Sequence, residues 1–465
     1  MVFSSIPFLY YFLPCVLLLY FAAPRKLKNT VLLITSLIFY AWGEPKFVPV
    51  MLFTILQGYL FGILIEKSNG HGARMYLAIS VVISLCLLGY CKYADFFIEN
   101  INMVTGLSVP LLKVTLPIGI SFYTFQILSY IADVYRGSVP AQRNFINLAA
   151  YIAMFPQLIA GPIVRYTDIS AQLNNREHSF AKCALGIRRF VLGLGKKVLI
   201  ADALGELCSI FKASDDKSVM FFWLYALACA LQIYFDFSGY SDMAIGLGKV
   251  FGFDFPENFN YPYISKSITE FWRRWHMSLG SWFRDYVYIP LGGNRVKKPR
   301  WLCNLILVWF LTGFWHGAAW NFIAWGLFFG ILLILEKLAF RKALEKTRFL
   351  RHIYVVSVLL FSFVLFDAAN LSEAWFYIKA MFGAGGLPVI STELLYYLKS
   401  FCVILIMAVI GSTPLVSMGI KRLRKREAFA KVLNIMEPIV LLLLIFVITG
   451  YIVDGSFQPF LYFRF

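Results

Sequence analysis

Charged residues are scarce in this chain of 465 residues, and their scarcity excludes a water-soluble fold. Asp, Glu, Lys and Arg make up only 15% of the sequence, whereas 60% is hydrophobic and 18% aromatic. A soluble globular domain carries about 25% charged residues. Most of the surface of this chain must therefore face lipid, and we interpret it as a polytopic membrane protein of the all-α class.

Long polar linkers and internal repeats are also missing. Several apolar runs approach the roughly 18–20 residues with which a helix crosses a ~30 Å hydrocarbon core. Clear examples are 6–23, 48–65, 75–90, 355–365 with its flanks, and 438–453. Because nothing interrupts this pattern, we expect a single membrane domain over residues 1–465. We expect about 11–13 transmembrane helices in it, together with re-entrant or interfacial helices.

Several sequence motifs are absent. The eight cysteines include no Cys-x-x-Cys pair and the five histidines have no metal-ligand spacing, so we predict neither a disulfide framework nor a metal site. Nucleotide-binding loops and the Gly-x-Ser-x-Gly elbow are missing too. The first residues lack a basic signal-peptide region, and we expect them to form a retained first span. If the protein is an enzyme, histidine is its best general base.

The basic residues predict an orientation. The chain has 43 basic and 25 acidic residues, a formal charge of +18, but no basic and aromatic surface domain that would bind nucleic acid. Basic loops between spans usually face the cytoplasm. The clusters that we place there are 25–28, 294–300, 336–351 and 421–426. Two spans, about 352–371 and 396–418, then join the last two clusters, and a final span at about 435–454 leaves both termini outside.

One segment between two basic clusters contains a buried histidine. Residues 301–335 must leave the cytoplasmic side and return, as two arms of about 17 residues or ~25 Å each. His316 falls at the apex, between Gly313 and Gly317, which would let backbone or a ligand approach closely. Trp315, Trp320 and Trp325 supply a stacking wall beside it. A lone histidine here is either a satisfied core residue or a functional group, and the residues alone leave both open.

Other polar groups interrupt apolar or interfacial segments. Asp236, Ser238, Ser241 and Asp242 are either functional or hydrogen-bonded between helices that pack closely at Gly239.

The segment 252–290 has no spanning run, and we expect interfacial or re-entrant pieces that form a cavity floor. In it, Arg273 and Arg274 would favour the neutral form of His276, although an interfacial histidine is the alternative. Arg284 and Asp285 either orient a polar network or pin a structural turn at 292–295.

Five motifs in this order resemble those of the membrane-bound O-acyltransferase (MBOAT) family. They are FPQLIAGP (155–162), DFSGYSDMA (236–244), FWRRWH (271–276), RDYVYIPLGGNR (284–295) and FWHGAAW (314–320). The nearest branch is the bacterial one that contains alginate O-acetyltransferase and teichoic-acid D-alanyl transferase. The resemblance covers about residues 1–465 and implies a ring of tilted helices around a thin core with a central tunnel.

The resemblance also implies roles for single residues. The principal catalytic histidine of the family falls on His316 and a second important histidine on His276. The motifs and their neighbours place further candidates along the tunnel or the substrate path: Asp236, Ser238, Tyr240, Trp272, Arg273, Trp275, Arg284, Trp315, Trp320 and Asn321. No permanently bound cofactor is implied. The donor would be acetyl-CoA or an acyl carrier protein thioester from the cytoplasm, docking near 252–300.

The function implied is acyl transfer, most simply O-acetylation, to a hydroxyl of an exported or cell-wall polysaccharide. The expected site is the bacterial plasma membrane, with membrane lipid around the protein and an extracellular polysaccharide-modifying protein as partner. Residues 435–465 comprise the final span and an aromatic tail that is similar to an accessory protein of the D-alanylation system. We expect Tyr462 in this tail to be an acyl relay or, alternatively, an interfacial anchor.

Two alternatives stay open on the sequence alone. One is a D-alanyl transferase acting on teichoic acid. The other is a transporter or flippase of a polar molecule, in which Asp236, Asp242 and His316 would form a relay, although the ordered motifs and the missing repeat argue against it.

Overall fold

A computed structural model describes residues 2–158 and 161–455, and within these ranges the regular structure is helical without a β-strand. Helices satisfy their backbone hydrogen bonds internally, as a chain in lipid requires. The α-helices are α1 Leu13–Ala22, α2 Lys28–Gly43, α3 Val48–Lys67, α4 His71–Thr105, α5 Ile120–Tyr135, α6 Phe145–Ala153, α7 Phe155–Leu158, α8 Tyr166–Asn174, α9 Phe180–Gly195, α10 Asp202–Ala213, α11 Val219–Val250, α12 Ile268–Arg274, α13 Met277–Phe283, α14 Lys298–His316, α15 Trp320–Leu335, α16 Arg341–Lys346, α17 Leu350–Asp367, α18 Leu371–Ala380, α19 Thr392–Gly411, α20 Leu415–Arg424 and α21 Glu427–Val453. Wider π-helical turns extend several of them, at Pro7–Phe12, Lys196–Ala201, Arg284–Tyr288 and Glu336–Phe340. Short 3₁₀ turns occupy Arg25–Leu27, Pro45–Phe47 and Pro262–Ile264.

Within the described part of the chain, seven helical segments are long and apolar enough to cross a membrane. They are Pro45–Lys67, His71–Thr105, Val219–Val250, Trp320–Phe340, Leu350–Asp367, Thr392–Gly411 and Glu427–Val453, and Pro7–Ala22 is a shorter apolar helix. The all-α polytopic class is therefore confirmed. The higher number of crossings, the ring of helices and the tunnel remain predictions.

One predicted span ends too late. The expected span at about 396–418 stops at Gly411, and a separate helix, α20, begins at Leu415. Lys421, Arg422 and Arg424 give α20 a strongly polar face, so it continues the basic cluster rather than the span. The apolar pattern misled here because Leu415, Val416 and Met418 extend the run beyond the break.

The described helices divide into two compact units, and the prediction of one domain over the whole chain remains untested. The first contains the chain up to Phe190 together with Met243–Glu257, and the second contains Val191–Asp242 and the chain from Asn258 onward. Phe8, Phe39 and Phe155 are among the buried rings that fill the first unit.

The second unit contains both candidate catalytic histidines of the sequence analysis, His276 and His316, and a large aromatic core. Trp275, Phe329 and Phe363 belong to this core. The stretch from Asn258 to Tyr288 folds into short helical pieces rather than a span, as predicted. Ser267 caps the first of these, α12, because its side chain accepts a hydrogen bond from the N–H of Glu270.

The predicted there-and-back hairpin is present as α14 and α15. α14 ends at His316 and α15 begins at Trp320, so the histidine lies at the apex. The two helices pack backbone against backbone: a Cβ on Gly326 would lie 2.3 Å from the carbonyl oxygen of Trp309, and one on Gly313 would lie 2.3 Å from that of Phe322. The close approach predicted at Gly313 is therefore an approach of backbone, which fixes the position of His316.

Candidate active site

A cavity of about 700 Å³ lies between the short helices α12 and α13 and the longer helix α14. We call it the histidine cavity because His276 lies in its wall. Its lining combines apolar surface with a few polar groups, as ligand pockets do. Lining residues include Trp272, Arg273, His276, Arg284, Trp309 and Thr312. Residues within 269–288 of the predicted 252–290 segment line this cavity, and their place as its floor at the cytoplasmic interface stays a prediction.

His276 occupies the sharp junction between α12 and α13. Its backbone is left-handed, with φ 43° and ψ 53°, a conformation that costs a residue other than glycine about 1–3 kcal/mol. Two backbone hydrogen bonds hold the junction against Asn258 and Asn260: the N–H of Met277 donates to the carbonyl of Asn258 at 3.0 Å, and that of Asn260 to the carbonyl of Arg274 at 2.9 Å. The ring is therefore placed by a fixed turn.

The side chain of His276 is 1% exposed and makes one close polar contact. Its Nδ1 lies 3.1 Å from Oδ1 of Asn258, while Nε2 is buried without a hydrogen-bond partner among the described residues. Burial lowers the pKa of His276 well below its ordinary value of 6.5, and the nearby His316 lowers this pKa further. The neutral form predicted from Arg273 and Arg274 is thus favoured, but desolvation rather than the arginines is the cause.

His316 is 6% exposed and is held by rings rather than by a loop. Trp325 and Phe366 meet its imidazole edge to face, at centroid distances of 5.1 Å and 5.4 Å. Trp315 contacts both histidines, with centroids 5.0 Å from His316 and 6.1 Å from His276. The two histidines therefore belong to one cluster, which the sequence alone did not establish.

Two indole N–H groups in this cluster are buried without an acceptor. The Nε1 atoms of Trp272 and Trp325 have no hydrogen-bond partner among the described residues, and the two rings lie 5.6 Å apart. A buried donor left unpaired costs about 1–3 kcal/mol, so each such group calls for an explanation. Donors of this kind beside a base are suited to a developing negative charge on a substrate oxygen.

The acidic residues of α11 are paired with lysines. Asp236 and Asp202 lie 2.8 Å and 2.5 Å from Nζ of Lys197, and all three side chains are buried. Asp242 forms a second pair, 2.6 Å from Nζ of Lys196.

Helix packing explains this polar stretch of α11. A Cβ on Gly239 would meet the carbonyl oxygen of Gly193 at 2.7 Å. Ser241 accepts a hydrogen bond from the side chain of Asn258. These contacts fit the interpretation that Asp236, Asp242 and Gly239 serve the packing of helices. Both carboxylates are paired with lysines, which does not favour the relay of the transporter alternative.

The other predicted site residues separate into two groups. Trp272, Arg273 and Arg284 line the histidine cavity, and Arg284 pairs with Asp285 at 2.6 Å. The remaining candidates are outside its lining. His316 and Trp315 belong to the ring cluster beside it, and Asp236, Ser238 and Tyr240 are buried in α11. Trp275 packs in the aromatic core, Trp320 is half-exposed, and Asn321 donates to the carbonyl of Ala368. The predicted turn at 292–295 is present, with positive φ at Gly292 and Gly293.

A second cavity, of about 630 Å³, shares the wall residues Thr269, Arg273 and Tyr288 with the first. We call it the basic cavity because four cationic side chains line it: Lys266, Arg273, Lys337 and Arg351. Arg273 has no ion-pair or hydrogen-bond partner among the described residues, so its guanidinium is available to a ligand. Lys337 and Arg351 belong to the basic cluster 336–351 that we predict to be cytoplasmic, whereas Lys266 and Arg273 lie in the 252–290 segment.

Sequence reasoning missed Asn258, Ser278 and Glu336. Asn258 binds His276 from 18 positions away, and Ser278 donates to Asn258 at 2.9 Å. Glu336 is buried and accepts hydrogen bonds from the backbone of Ile268 and Thr269, which fixes the start of α12. The sequence contained a signal for Glu336 only, since this carboxylate interrupts an apolar run. These hydrogen bonds join residues that lie 18 or more positions apart along the chain.

Known proteins are similar to this chain over most of its length. The profile of the MBOAT, membrane-bound O-acyltransferase family matches residues 138–372, which include both histidines. The probable alginate O-acetylase AlgI of Azotobacter vinelandii is 47% identical over 392 residues, covering 83% of this chain and 79% of that protein. The peptidoglycan O-acetyltransferase of Helicobacter pylori is 36% identical over 425 residues, 83% of this chain and 80% of that protein.

A third relative is more distant. The teichoic acid D-alanyltransferase of Bacillus subtilis is 32% identical over 228 residues, 46% of this chain and 58% of that protein. The family profile covers half of the chain, and relatives far above 30% identity cover more than two thirds of it. The chain therefore belongs to the membrane-bound O-acyltransferase family and is a multi-pass membrane O-acyltransferase.

Proposed function

We propose that this protein transfers an acetyl group from a cytoplasmic thioester donor to a hydroxyl of a polysaccharide outside the bacterial plasma membrane. The observation that carries the proposal is its likeness, over 83% of the chain, to an alginate O-acetylase and to a peptidoglycan O-acetyltransferase. Both names denote acetylation of a polymer that carries sugar hydroxyls. The cluster of His276, His316 and unpaired indole donors suits this chemistry.

His316 is the proposed general base. In its neutral form it takes the proton from the attacking hydroxyl as that oxygen bonds to the thioester carbonyl carbon. The indole N–H groups of Trp272 and Trp325 donate to the carbonyl oxygen while it carries negative charge. When the carbon–sulfur bond breaks, the imidazolium returns the proton to the leaving thiolate, so the products are an ester and a thiol.

The basic cavity is the proposed docking site of the donor. Acetyl-CoA carries phosphates, and an acyl carrier protein carries a phosphopantetheine thioester, so either donor presents anionic groups. Arg273 lines both cavities, and its free guanidinium suits a phosphate beside a thioester in the histidine cavity. Arg273→Ala should raise KM for the donor more than it lowers kcat, and an unchanged donor KM would contradict this placement.

The acyl relay through Tyr462 stays part of the proposal, although this residue lies outside the described residues. Its phenol would attack the thioester first and release the thiol. The sugar hydroxyl would then attack the aryl ester and regenerate the phenol, so that His316 serves as base toward the attacking hydroxyl in each step. Tyr462→Phe should abolish transfer, and near-normal transfer by this variant would exclude the relay. A polysaccharide-modifying protein outside the membrane is the proposed partner for delivery to the polymer.

Replacement of His316 tests the proposed function. A deletion strain complemented with His316→Ala should lose ester-linked acyl groups from its surface glycans, by about 10²- to 10⁴-fold if the residue is a general base. His71→Ala, which removes an exposed histidine at the start of α4, is the matched control and should retain acylation. Membrane levels of both variants are measured by immunoblot. Persistent acylation in His316→Ala would exclude the proposed base.

Mass spectrometry of the same glycans separates the remaining alternatives. An acetyl ester adds a different mass from a D-alanyl ester, so the acyl group is read directly. A transporter would carry its solute without forming any acyl ester, and wild-type cells would then show no difference in glycan acylation from the deletion strain. Either result would replace the proposed acetyl transfer.

A further inference from the structure

The side chain of Asn258 is the centre of a buried hydrogen-bond network around His276. Its Oδ1 lies 3.1 Å from Nδ1 of His276, 3.3 Å from the backbone N of Ser278 and 2.9 Å from Oγ of Ser278. Its Nδ2 lies 3.0 Å from Oγ of Ser241. Asn258, Ser241, His276 and Ser278 are each less than 5% exposed, so the network is buried.

The contacts determine which atom of the amide faces the histidine. A backbone N–H can only donate a hydrogen bond, so the atom of Asn258 beside the N–H of Ser278 must be the acceptor, the amide oxygen. The amide nitrogen then points to Ser241, whose hydroxyl oxygen accepts from it. The reversed amide would place its NH₂ group against the backbone N–H of Ser278, two donors together, whereas the Ser241 hydroxyl can bond either amide atom and does not decide the orientation.

The orientation of Asn258 in turn determines the proton on His276. A carbonyl oxygen only accepts, so Nδ1 of His276 must carry the hydrogen that is donated to it. In the neutral ring Nε2 is then the unprotonated nitrogen. It is also the nitrogen without a partner among the described residues, on a ring that lines the histidine cavity.

We propose that Asn258 is a positioning residue that locks His276 in the Nδ1–H tautomer, so that Nε2 meets the substrate as a hydrogen-bond acceptor. The substrate group at this point must accordingly be a donor, a hydroxyl or an amide N–H. The assignment of the tautomer stands independently of the reaction, whereas its catalytic value rests on the proposed function. Neutral imidazole in water favours the opposite, Nε2–H tautomer. An Nδ1–H tautomer at His276 would therefore differ from that of a histidine without the Asn258 contact.

The surrounding backbone is built to keep this pair in register. The carbonyl of Asn258 accepts from the N–H of Met277 at 3.0 Å, so the amide and the ring project from paired segments. The ring of Phe237 lies edge to face against His276 at 4.7 Å and limits its rotation. Ser278 Oγ is closer to Asn258 Oδ1 (2.9 Å) than to His276 Nδ1 (3.5 Å), as expected if the hydroxyl donates to the amide.

Nitrogen-15 NMR of the wild-type protein in detergent tests the assignment without any mutation of the network. The chain contains only five histidines, so histidine-selective labelling gives a simple spectrum, and the signals that vanish in His276→Gln identify the residue. We expect a protonated Nδ1 and an unprotonated Nε2 near neutral pH. An Nε2–H tautomer in the wild type would overturn the proposal, whatever the acyl-transfer activity.

Two substitutions test the role of the amide. Asn258→Ala should release the tautomer and lower kcat/KM by about 10- to 100-fold, the usual cost of losing a group that orients a functional histidine. Asn258→Asp retains the acceptor and should retain the Nδ1–H form. If Asn258→Ala keeps the wild-type tautomer, Asn258 does not position the ring and the proposal fails.

Asn260→Ala is the matched control. Asn260 is exposed and contacts the His276 junction through its backbone only, so its replacement should change neither the tautomer nor the activity. A wild-type Nδ1–H tautomer without any acyl transfer by the protein would uphold the positioning role and exclude the proposed function. The two conclusions are thus separable.

Discussion

The two buried histidines of the second unit are held in different ways. His276 is fixed by hydrogen bonds and a left-handed turn between two short helices. His316 ends the 19-residue helix α14 and is packed against Trp315, Trp325 and Phe366. A hydrogen-bond network specifies where the proton on a ring resides, whereas aromatic packing specifies only where the ring lies.

This difference suits two different roles. Trp315, Trp325 and Phe366 pack against the ring of His316 whichever of its nitrogens carries a proton. A neutral imidazole that donates a hydrogen bond to an amide oxygen is held in one tautomer. His316 therefore suits the proton-transferring role proposed for it, and His276 suits that of a fixed acceptor. Substitutions that disturb one residue and spare the other separate these roles.

Of three further substitutions, Gly326→Ala should lower acyl transfer most, because it displaces the helix that ends at His316. The new methyl group would lie 2.3 Å from the carbonyl oxygen of Trp309 and 2.9 Å from the backbone of Gly313, so α14 and α15 must separate. Overpacking of this kind costs about 1–3 kcal/mol of stability. A shift of about 1 Å in a reacting group lowers activity by about 10²-fold. Acyl transfer and thermal unfolding in detergent measure the two effects.

Gly419→Ala is the control for this prediction. Gly419 is in α20, and a Cβ there meets nothing within 4 Å. The change should leave activity intact and raise stability slightly, because alanine is the better helix former by about 0.5–1 kcal/mol. If Gly326→Ala were as active as Gly419→Ala, the close helix packing would not be what places His316.

The hairpin illustrates how much of the fold was predictable. Basic clusters on both sides of residues 301–335 required a return to the same side, and the helices turn between His316 and Trp320 as expected. The end of α19 was not predictable, because α20 begins with apolar residues that continue the hydrophobic run. Hydrophobic patterns therefore located the spans better than their ends.

The site was less predictable than the spans. His276 and His316 were identified from motifs, but their common cluster depends on contacts between segments 40 residues apart in sequence. Asn258 lies among loop-forming residues, and nothing in its neighbourhood indicates a histidine partner. For Asp236 and Asp242 the lysine partners were missed because Lys196 and Lys197 lie in another helical segment. Local sequence patterns do not indicate which residues from distant segments come into contact in the folded chain.

Trp325→Phe should have an intermediate effect. Phenylalanine retains an aromatic ring against His316 but removes the buried indole N–H. If the indole N–H stabilises the oxyanion, kcat should fall by about 10- to 100-fold, while KM for the acyl donor changes little. Trp375→Phe, at an exposed tryptophan of α18, is the control. A fall in stability with kcat unchanged would assign Trp325 to packing alone.

Ser278→Ala should lower acyl-transfer activity least, because it removes only one bond of the network around His276. It removes the 2.9 Å hydrogen bond from Oγ to Asn258 but leaves the backbone N–H of Ser278 and Nδ1 of His276 as donors to the same oxygen. One such bond contributes about 0.5–1.5 kcal/mol, so activity should fall by no more than about tenfold and the Nδ1–H tautomer should persist.

Ser400→Ala removes an exposed hydroxyl of α19 and should have no effect on either measurement. A tautomer change in Ser278→Ala would mean that the hydroxyl donates to Nδ1 of His276 across the 3.5 Å contact. The serine and not the amide would then orient the ring, and Nε2–H would face the cavity as a donor. If Ser278→Ala keeps the tautomer and loses only a little activity, Asn258 is the group that orients His276. That hydrogen bond then distinguishes His276 from His316, which is packed against aromatic rings.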